Sequence, residues 1–165
     1  ELLKEERQPG IQIRRALPDD ASLIASVLHA AFVEYESSYT PEAFAATVCT
    51  PEQIRARMEE GPVWIALRNG IIKGTVAAVP KGEALYVRGM AVDPVTRGSG
   101  IGRALLNCVE EFAIESGFKA LRLSTTPFLS SAIRLYEKYG FLRSNDGPHD
   151  LFGTPLFTMV KPLGS

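Results

Sequence analysis

A turn with three glycines stands between an apolar strand and an amphipathic helix, and it constrains the fold more than any other stretch. The strand is predicted over Ala84–Val92, and Asp93-Pro94 ends it because proline has no N–H to donate to a β-ladder. Apolar residues then recur at helical spacing over Ile101–Glu115. The chain is therefore predicted to contain a strand–glycine turn–helix unit.

Two faces can be assigned to the predicted helix from its periodicity. The apolar face is predicted to contain Ile101, Ala104, Leu105, Cys108, Val109 and Phe112, and the polar face Arg103, Asn107, Glu110 and Glu111. Because only one face is apolar, we expect this helix to pack on a sheet and leave its other side in water.

The turn itself has the composition of a phosphate or pyrophosphate site. Its glycines alternate, at Gly98, Gly100 and Gly102. Glycine lets backbone N–H groups approach a bound group closely, and a helix N-terminus adds free donors and a partial positive charge. Arg97 and Arg103 flank the turn. The alternative is a tight strand–helix turn without a ligand.

Two well-known phosphate loops do not fit these residues. A Walker loop requires Gly-Lys-Ser/Thr, whereas Gly102 is followed by Arg103 and Ala104. The last glycine of the dinucleotide fingerprint would fall on Arg103 or Leu105. Neither nucleoside triphosphate nor dinucleotide binding of these kinds is therefore predicted.

A third pattern does fit. Arg/Gln-x-x-Gly-x-Gly/Ala is met by Arg97, Gly100 and Gly102, and it resembles the acetyl-CoA pyrophosphate loop of the GNAT superfamily of N-acetyltransferases. Downstream, Ala132–Phe141 is similar to the superfamily segment Ala-Ile-x-Leu-Tyr-Glu-Lys-x-Gly-Phe. The two motifs occur in the superfamily's order, with a helix and a strand between them. The motif resemblance covers about Leu85–Leu142, and upstream only the pattern of elements agrees.

The N-terminal third is predicted to be mainly helical. Ile11–Arg15 alternates and predicts an edge strand. A helix is predicted to begin at Pro18-Asp19-Asp20 with an aspartate as its N-cap, and its apolar face to contain Leu23, Val27, Ala30 and Ala31. Two further helices are predicted to begin at Thr40-Pro41 and Thr50-Pro51, the second with Gln53 placed for a capping box, before Gly61-Pro62 ends the region.

The rest of the chain alternates strands and helices. Strands are predicted at Val63–Arg68 and Ile71–Val79 around the hairpin turn Asn69-Gly70. After the long helix, capped by Gly117, the predicted elements are a strand over Leu121–Thr125, a helix over Leu129–Tyr139 closed by Gly140, a strand from Phe141-Leu142, a polar loop over Asn145–Asp150 and a strand over Leu156–Val160. This order predicts an α/β fold with a mixed, mostly antiparallel central sheet and helices on both faces, as the GNAT resemblance implies.

Length and composition are those of one globular domain. The chain has 165 residues, of which 45% are apolar and 22% charged; residues 1–10 are predicted to form a flexible arm and 11–165 a single N-acetyltransferase domain. The net charge of −1 gives no argument for nucleic acid or a membrane surface. Without an apolar run of about 18 residues or a visible signal peptide, a cytoplasmic protein is expected. Cys49 and Cys108 have no metal-ligand spacing, and no metal is predicted.

The resemblance implies an acetyl-CoA-dependent N-acetyltransferase in which a primary amine of a small molecule or peptide attacks the thioester directly. The residues that it assigns to the cofactor are Met90, Ala91, Val92, Arg97, Gly98, Ser99, Gly100, Ile101, Gly102 and Arg103. Backbone at 90–92 would pair with the pantetheine and present an N–H to the acetyl oxygen, stabilising the oxyanion. Tyr136 would protonate the departing thiolate, which a phenol of pKa about 10 can do. The alternative role for this tyrosine is packing on the sheet.

Two positions depart from the family pattern. Some similar N-terminal acetyltransferases carry a glutamate base where Ser124 stands, and related sequences often have a cofactor-binding asparagine where Leu129 stands. Ser130 or Ser131 could take the place of that asparagine, and Ser131 is counted among the cofactor residues. For the base the sequence leaves Glu34, Glu36, Glu83, Tyr86, a chain of waters or no dedicated group.

The acceptor amine is predicted to meet residues from three segments. They are Glu34, Tyr35 and Tyr39, then Tyr86 and Arg88, and finally Ser124 and Thr126. Aromatic and acidic groups there suit a cationic amine, although solvated loops have the same composition. The alternative from a different class of function is a non-catalytic acyl-CoA sensor or interaction domain. The presence of Tyr136 favours the enzyme, because a protein that only binds acyl-CoA needs no acid to protonate a thiolate. A homodimer is compatible with the resemblance.

Overall fold

The computed structural model describes residues 10–164, so most of the predicted arm 1–10 lies outside the described residues. Five α-helices and eight strands are found in this part of the chain. The helices are α1 Ala21–Phe32, α2 Pro41–Thr47, α3 Pro51–Glu60, α4 Ile101–Glu115 and α5 Ser130–Tyr139. The strands are β1 Gln12–Arg15, β2 Val63–Arg68, β3 Ile71–Lys81, β4 Ala84–Val92, β5 Ala120–Thr125, β6 Leu142–Arg143, β7 His149–Leu151 and β8 Thr154–Pro162.

The strands form one sheet in the order β1-β2-β3-β4-β5-β8-β6, with β7 paired to β8. All of these neighbours are antiparallel except β4 and β5. The predicted mixed, mostly antiparallel sheet is therefore confirmed. The parallel pair is short, because it joins Ala84–Tyr86 only to Ala120–Arg122. Beyond those residues β4 and β5 have no backbone pairing, and a gap opens in the sheet.

A β-bulge lies in β4 at the start of this gap. The pairing of β3 with β4 shifts between Thr75↔Ala91 and Ala77↔Arg88, so that two residues of β4 oppose one of β3. Gly89 occupies the bulge with a φ of 61°, a left-handed conformation that glycine adopts without strain. A bulge of this kind bends its strand and leaves one residue out of the ladder.

Helices cover both faces of the sheet, as predicted. On one face α4 and α5 enclose a core that includes Leu85, Val87, Leu105, Leu121 and Phe141, all buried. On the other face α1 and α3 pack on β2, β3 and β4 around Ile24, Leu28, Ile54 and Ile65. Alternate residues of β4 therefore face different layers, with Tyr86 and Arg88 on the side opposite to Leu85 and Val87.

The local turn and cap signals are found as predicted. Asn69 and Gly70 both have positive φ, 53° and 77°, as a type I′ hairpin turn requires. Thr40 accepts a hydrogen bond from the Ala43 N–H at the start of α2. Thr50 and Gln53 form a reciprocal capping box at α3, with distances of 3.2 and 2.8 Å.

Several details at the N-terminal end differ from prediction. A short 3₁₀ turn, Pro18–Asp20, precedes α1. Asp20 holds the predicted N-cap position of α1, but its side chain makes no capping hydrogen bond there. Its carboxylate instead accepts hydrogen bonds from the Leu17 N–H and from Arg14, and the latter lowers the Asp20 pKa most. The buried face of α1 is Ala21, Ile24, Val27, Leu28 and Ala31. Leu23, 58% exposed, and Ala30 were wrongly placed in the core, because the face is rotated by about one residue.

The C-terminal part is more regular than predicted. β8 extends to Thr154 and Pro162, and part of the predicted polar loop forms β7. The buried face of α4 also includes Leu106 and Ala113, both fully buried. Gly74 of β3 lies under this helix, and a Cβ there would come within 2.8 Å of Ile101 Cγ2 and 3.1 Å of Leu105 Cδ1. The absence of a side chain at Gly74 thus lets α4 pack close to the sheet.

Candidate active site

A cavity of about 550 Å³ lies beside the bulge, between the N-terminus of α4 and α5. Most of the predicted cofactor residues line it, namely Met90, Ala91, Val92, Arg97, Gly98, Gly100, Ile101, Gly102, Arg103 and Ser131. Tyr136 and Tyr35 line the same cavity, while Ser99 does not and instead donates its hydroxyl to the Thr96 carbonyl. Seven further residues line the cavity although the sequence analysis gave them no contact in the site. They are Ala31, Phe32, Leu129, Ala132, Arg134, Leu135 and Lys138.

The turn between β4 and α4 has the geometry of an anion cradle. Asp93 accepts a hydrogen bond from the Val95 N–H and begins a 3₁₀ turn, Pro94–Thr96. Gly98 and Gly100 follow with φ of 84° and 93°, so the chain reverses where only glycine is unstrained. Gly100 is the N-cap of α4 and offers no side chain to its first N–H groups. Those donors therefore remain available to an anion in the cavity.

Gly102 has a different role. A Cβ at this position would lie 2.7 Å from Leu135 Cδ2 and 3.2 Å from Met90 Cε. The contacts are with α5 and β4, which form opposite walls of the cavity. The small residue at position 102 therefore sets how closely α4 approaches these walls.

Four cationic side chains line the cavity: Arg97, Arg103, Arg134 and Lys138. Arg97 donates to Glu34 and to the Ala31 carbonyl, at 2.9 and 3.0 Å. Arg103 lies over the Tyr139 ring and Arg134 donates to Ser131. The sequence analysis missed Arg134 and Lys138 as charges of the site, although both lie in the second motif four residues apart, the spacing of one helix face.

Tyr136, on α5, is one of the residues that line the cavity. It is 8% exposed, and its ring packs edge-on against Phe141 with centroids 5.7 Å apart. Burial, and secondarily the nearby Tyr39, raise the pKa of Tyr136 to about 12. Within residues 10–164 its hydroxyl makes no hydrogen bond. At neutral pH this group is thus a protonated, unengaged donor facing a cavity.

Tyr39 and Thr126 lie next to Tyr136. Tyr39 is buried against Phe128, with ring centroids 4.9 Å apart, and burial raises its pKa. Its hydroxyl faces the hydroxyls of Thr126 and Thr47, which partly offset that rise. Thr126 is only 2% exposed, yet no hydrogen bond of normal geometry satisfies its Oγ1 in the described part of the chain.

The other predicted acceptor residues form two separate groups. Arg88 pairs with Glu60 at the end of α3, and Tyr86 stacks under Lys81, whose Nζ is 5.5 Å from the ring centroid. Ser124 lies across from Thr158 on β8, with their hydroxyl oxygens 3.5 Å apart. The first group borders the β4 side of the gap and the second its β5 side.

The candidate bases are not collected at the site. Glu34 is held in an ion pair by Arg97 and does not line the cavity, Glu36 is exposed, and Glu83 lies in the turn at the opposite end of β4. No aspartate, glutamate or histidine is among the side chains that line the cavity in residues 10–164. Leu129 lines the cavity with its side chain and precedes α5 without a capping hydrogen bond.

The described residues contain neither a metal-ion cluster nor a membrane-spanning helix. Across residues 10–164 there is no cluster of three histidine, cysteine, aspartate or glutamate side chains arranged for a metal ion. In the same range no helix has the length and apolar character needed to cross a bilayer.

The fold and the cavity define the class of protein. It is an α/β protein in which two neighbouring strands of the sheet separate beside an anion cradle at a helix N-terminus. The profile of the acetyltransferase (GNAT) family matches residues 24–141. The chain therefore belongs to the GNAT family of acetyltransferases, and the family resemblance predicted from the two motifs is confirmed.

Individual relatives agree with this assignment. An IAA acetyltransferase of Azospirillum brasilense is 39% identical over 60% of this chain and 66% of its own length. Human N-acetylaspartate synthetase is 36% identical over 52% of the chain, which spans only 29% of that protein. The chain thus covers between about a third and two thirds of these relatives.

Solved structures extend the likeness to nearly the whole chain. The PaiA N-acetyltransferase of Thermoplasma acidophilum, in complex with coenzyme A, has a TM-score of 0.78 at 18% identity and covers 93% of this chain and 99% of its own. The ribosomal-protein-S18-alanine N-acetyltransferase of Escherichia coli has a TM-score of 0.73 at 20% identity, covering 94% and 95%. At such identities these structures establish the shared GNAT fold.

Proposed function

We propose that this protein transfers an acetyl group from acetyl-CoA to the primary amine of a small molecule or peptide. The observation that carries the proposal is that one cavity brings together the glycine cradle, the bulged end of β4 and the buried Tyr136 hydroxyl. Each of these belongs to a different element, and their convergence beside a gap in the sheet is expected of a two-substrate site.

The residues of the cavity fit the donor substrate. The free N–H groups at the start of α4, with Arg97, Arg103, Arg134 and Lys138 around them, suit a pyrophosphate and a further phosphate. The unpaired edge of β4 at 90–92 suits an extended pantetheine arm bearing amide groups. When bound, acetyl-CoA supplies an acetyl group activated as a thioester.

The chain supplies two groups for the transfer. A backbone N–H in the bulged segment 89–91 can donate to the acetyl oxygen, where negative charge develops during attack. The Tyr136 hydroxyl, neutral because its pKa is about 12, can give its proton to the departing sulfur. The amine attacks from the other side of the sheet, through the gap between β4 and β5.

We further propose that the amine loses its proton to solvent. No carboxylate or imidazole lines the cavity among the described residues, and Ser124 is engaged across from Thr158 and is a poor base. A fraction of any amine is uncharged near neutral pH, so this step needs no dedicated residue. The rate should then rise with pH as more of the amine becomes uncharged.

The names of relatives do not single out one acceptor. They include IAA, N-acetylaspartate and ribosomal-protein alanine enzymes, whose named substrates differ in size and charge. They support acetyl transfer in general and do not define the class of acceptor.

The test is release of free thiol from acetyl-CoA with a panel of primary amines, together with calorimetric titration of acetyl-CoA. Submillimolar acetyl-CoA binding and amine-dependent thiol release are expected. Binding without release across small amines, amino acids and peptides would favour the non-catalytic sensor. No binding of acetyl-CoA to folded protein would refute the proposal.

A further inference from the structure

An arginine outside the lining of the cavity lies under the bulge of β4. Arg57 projects from the last turns of α3 toward Gly89, and a Cβ on Gly89 would come within 2.7 Å of its Nη1. The guanidinium therefore touches the one glycine of β4 that has a left-handed conformation. It adjoins the backbone segment proposed to hold the acetyl oxygen.

Arg57 is half-buried but has no counterion in contact. It makes no hydrogen bond or ion pair within residues 10–164, although Arg14, Arg88, Arg97 and Arg122 each pair with a carboxylate. Its pKa is lowered, mainly by burial; Arg88 adds to this, while Cys49, Glu60 and Tyr86 oppose it. Removing a charge from water without a partner is unfavourable, so this position is suited to a bound anion.

A second arginine on the same side of the gap is also incompletely satisfied. Arg88 uses its Nη2 to pair with Glu60, but its Nε is buried without a partner in the described structure. Glu60 is the carboxylate nearest to this pair of guanidinium groups, and it is exposed and already engaged by Arg88. The acceptor side of β4 thus carries two positive groups and one negative group, with donors left over on both arginines.

These observations oppose the sequence expectation of a cationic acceptor held by acidic and aromatic groups. An amine with a second positive charge would meet two guanidinium groups at the bulge. A carboxylate would match the planar, two-pronged donor set of arginine and supply the missing counterion. Because the guanidinium adjoins Gly89, a carboxylate bound there would hold a nearby amine beside the bulge.

We infer that the acceptor is a small primary amine that also carries a carboxylate, such as a free amino acid, with the carboxylate bound by Arg57 beside Gly89. This inference rests on the proposed acetyl transfer and narrows its substrate class. A peptide N-terminus is disfavoured, because its neighbouring carbonyl belongs to an amide and has no charge. Arg88 would contribute its free Nε to the same anion.

The experiment compares amino acids with their C-terminal amides, which share the amine and side chain but lack the carboxylate. In wild-type protein, kcat/KM for the best amino acid should exceed that of its amide by about 10- to 100-fold, as for a charge-assisted hydrogen-bonded pair. Arg57→Gln should raise KM for the amino acid and remove the preference, with acetyl-CoA affinity unchanged. Arg57→Lys keeps the charge but not the planar two-pronged donor set. Its preference for the amino acid over the amide should lie between those of wild type and Arg57→Gln.

Arg55→Gln is the matched control, because Arg55 lies on the same helix but is exposed, and among residues 10–164 it donates only to the Pro18 carbonyl. It should keep the wild-type preference. Calorimetry with the protein–CoA complex provides a readout without turnover: an N-acetyl amino acid should bind more tightly than its amide, and Arg57→Gln should abolish the difference.

The outcomes separate this inference from the proposed function. Thiol release with equal rates for acids and amides, or a preference that survives in folded Arg57→Gln, would overturn the inference and leave acetyl transfer intact. Acetyl-CoA binding with no thiol release would count against the proposed function, while the product titration would still decide whether a carboxylate binds at Arg57.

Discussion

The change Tyr136→Phe separates the proposed chemistry of this residue from its place in the core. It keeps the ring and its contact with Phe141 and removes one hydroxyl. Because that hydroxyl makes no hydrogen bond within residues 10–164, the variant loses no bond in the free protein. The free energy of unfolding at pH 8 should therefore stay the same or rise by up to about 1 kcal/mol, since burying an unpartnered polar group is unfavourable.

Catalysis should respond very differently. If Tyr136 protonates the departing thiolate, kcat should fall by about 10²-fold or more, typical of a lost general acid, while acetyl-CoA affinity changes little. The loss should be smaller with an acetyl thioester whose thiol is more acidic, because that leaving group needs less protonation. Thiol release under saturating donor and calorimetric titration measure the two quantities.

The raised pKa adds a test in alkaline solution. Tyr136 has a pKa of about 10 in the unfolded chain and about 12 in the folded protein. Its titration therefore leaves stability unchanged below pH 10, and the folded state loses stability progressively as pH rises from 10 through 12. At pH 11 the unfolded chain is favoured by about 1.4 kcal/mol from this group alone. Between pH 9 and pH 11 the free energy of unfolding should therefore fall by about 1.4 kcal/mol more in wild type than in Tyr136→Phe. Matched urea titrations at the two pH values measure this difference.

Four results would contradict this reasoning. Undiminished turnover in Tyr136→Phe would remove the hydroxyl from the mechanism. Equal losses with ordinary and activated thioesters would indicate that it positions the donor substrate. Identical alkaline stability profiles of wild type and variant would mean that burial does not raise the pKa, and a wild-type rate that fell above pH 9 with the titration of Tyr136 would point the same way.

Two further changes test the cradle and the helix behind it. Glu34→Gln frees Arg97 from its ion pair, so acetyl-CoA should bind up to about five-fold more tightly by calorimetry. Glu36→Gln, at an exposed position, is the control. Weaker binding of acetyl-CoA to Glu34→Gln would show that Glu34 orients Arg97 for the ligand. Gly74→Ala places a Cβ within 2.8 Å of Ile101 and 3.1 Å of Leu105, and should lower the free energy of unfolding by about 1–3 kcal/mol in urea titrations. Gly164→Ala, where a Cβ would meet no atom of the described residues within 4 Å, is its control. Equal stability of the two variants would contradict the close packing of α4.

Local chemistry made much of the fold predictable from sequence. β4 and α4 have the predicted bounds because proline, the glycines and an unbroken helical period act within a few residues of each end. The hairpin at Asn69-Gly70 and the capping box at Thr50 are equally local. By contrast, β7 and the extra length of β8 depend on pairing between segments, which leaves little trace in either strand alone.

The residues of the candidate site likewise fall into those that a local motif predicts and those that only the tertiary structure reveals. The cradle and Tyr136 lie in contiguous motifs and could be assigned to one site in advance, and the structure brings them to one cavity. Gly89 could have been noticed, because a glycine within an apolar strand often marks a bulge. Arg57 had no such signal, because the features that single it out are tertiary: no counterion contacts it among residues 10–164, and it adjoins a strand far away in sequence.

The short β4–β5 pairing also determines what holds the two halves of the sheet at a fixed distance. Three residue pairs join them through the backbone, while Leu85, Val87, Leu121 and Leu123 meet beneath in one buried layer with α4. The width of the opening is thus fixed by the volumes of apolar side chains, since a dense interior transmits small changes in shape. Trimming or enlarging a leucine in that layer would change the width of the opening without altering any residue that lines the cavity.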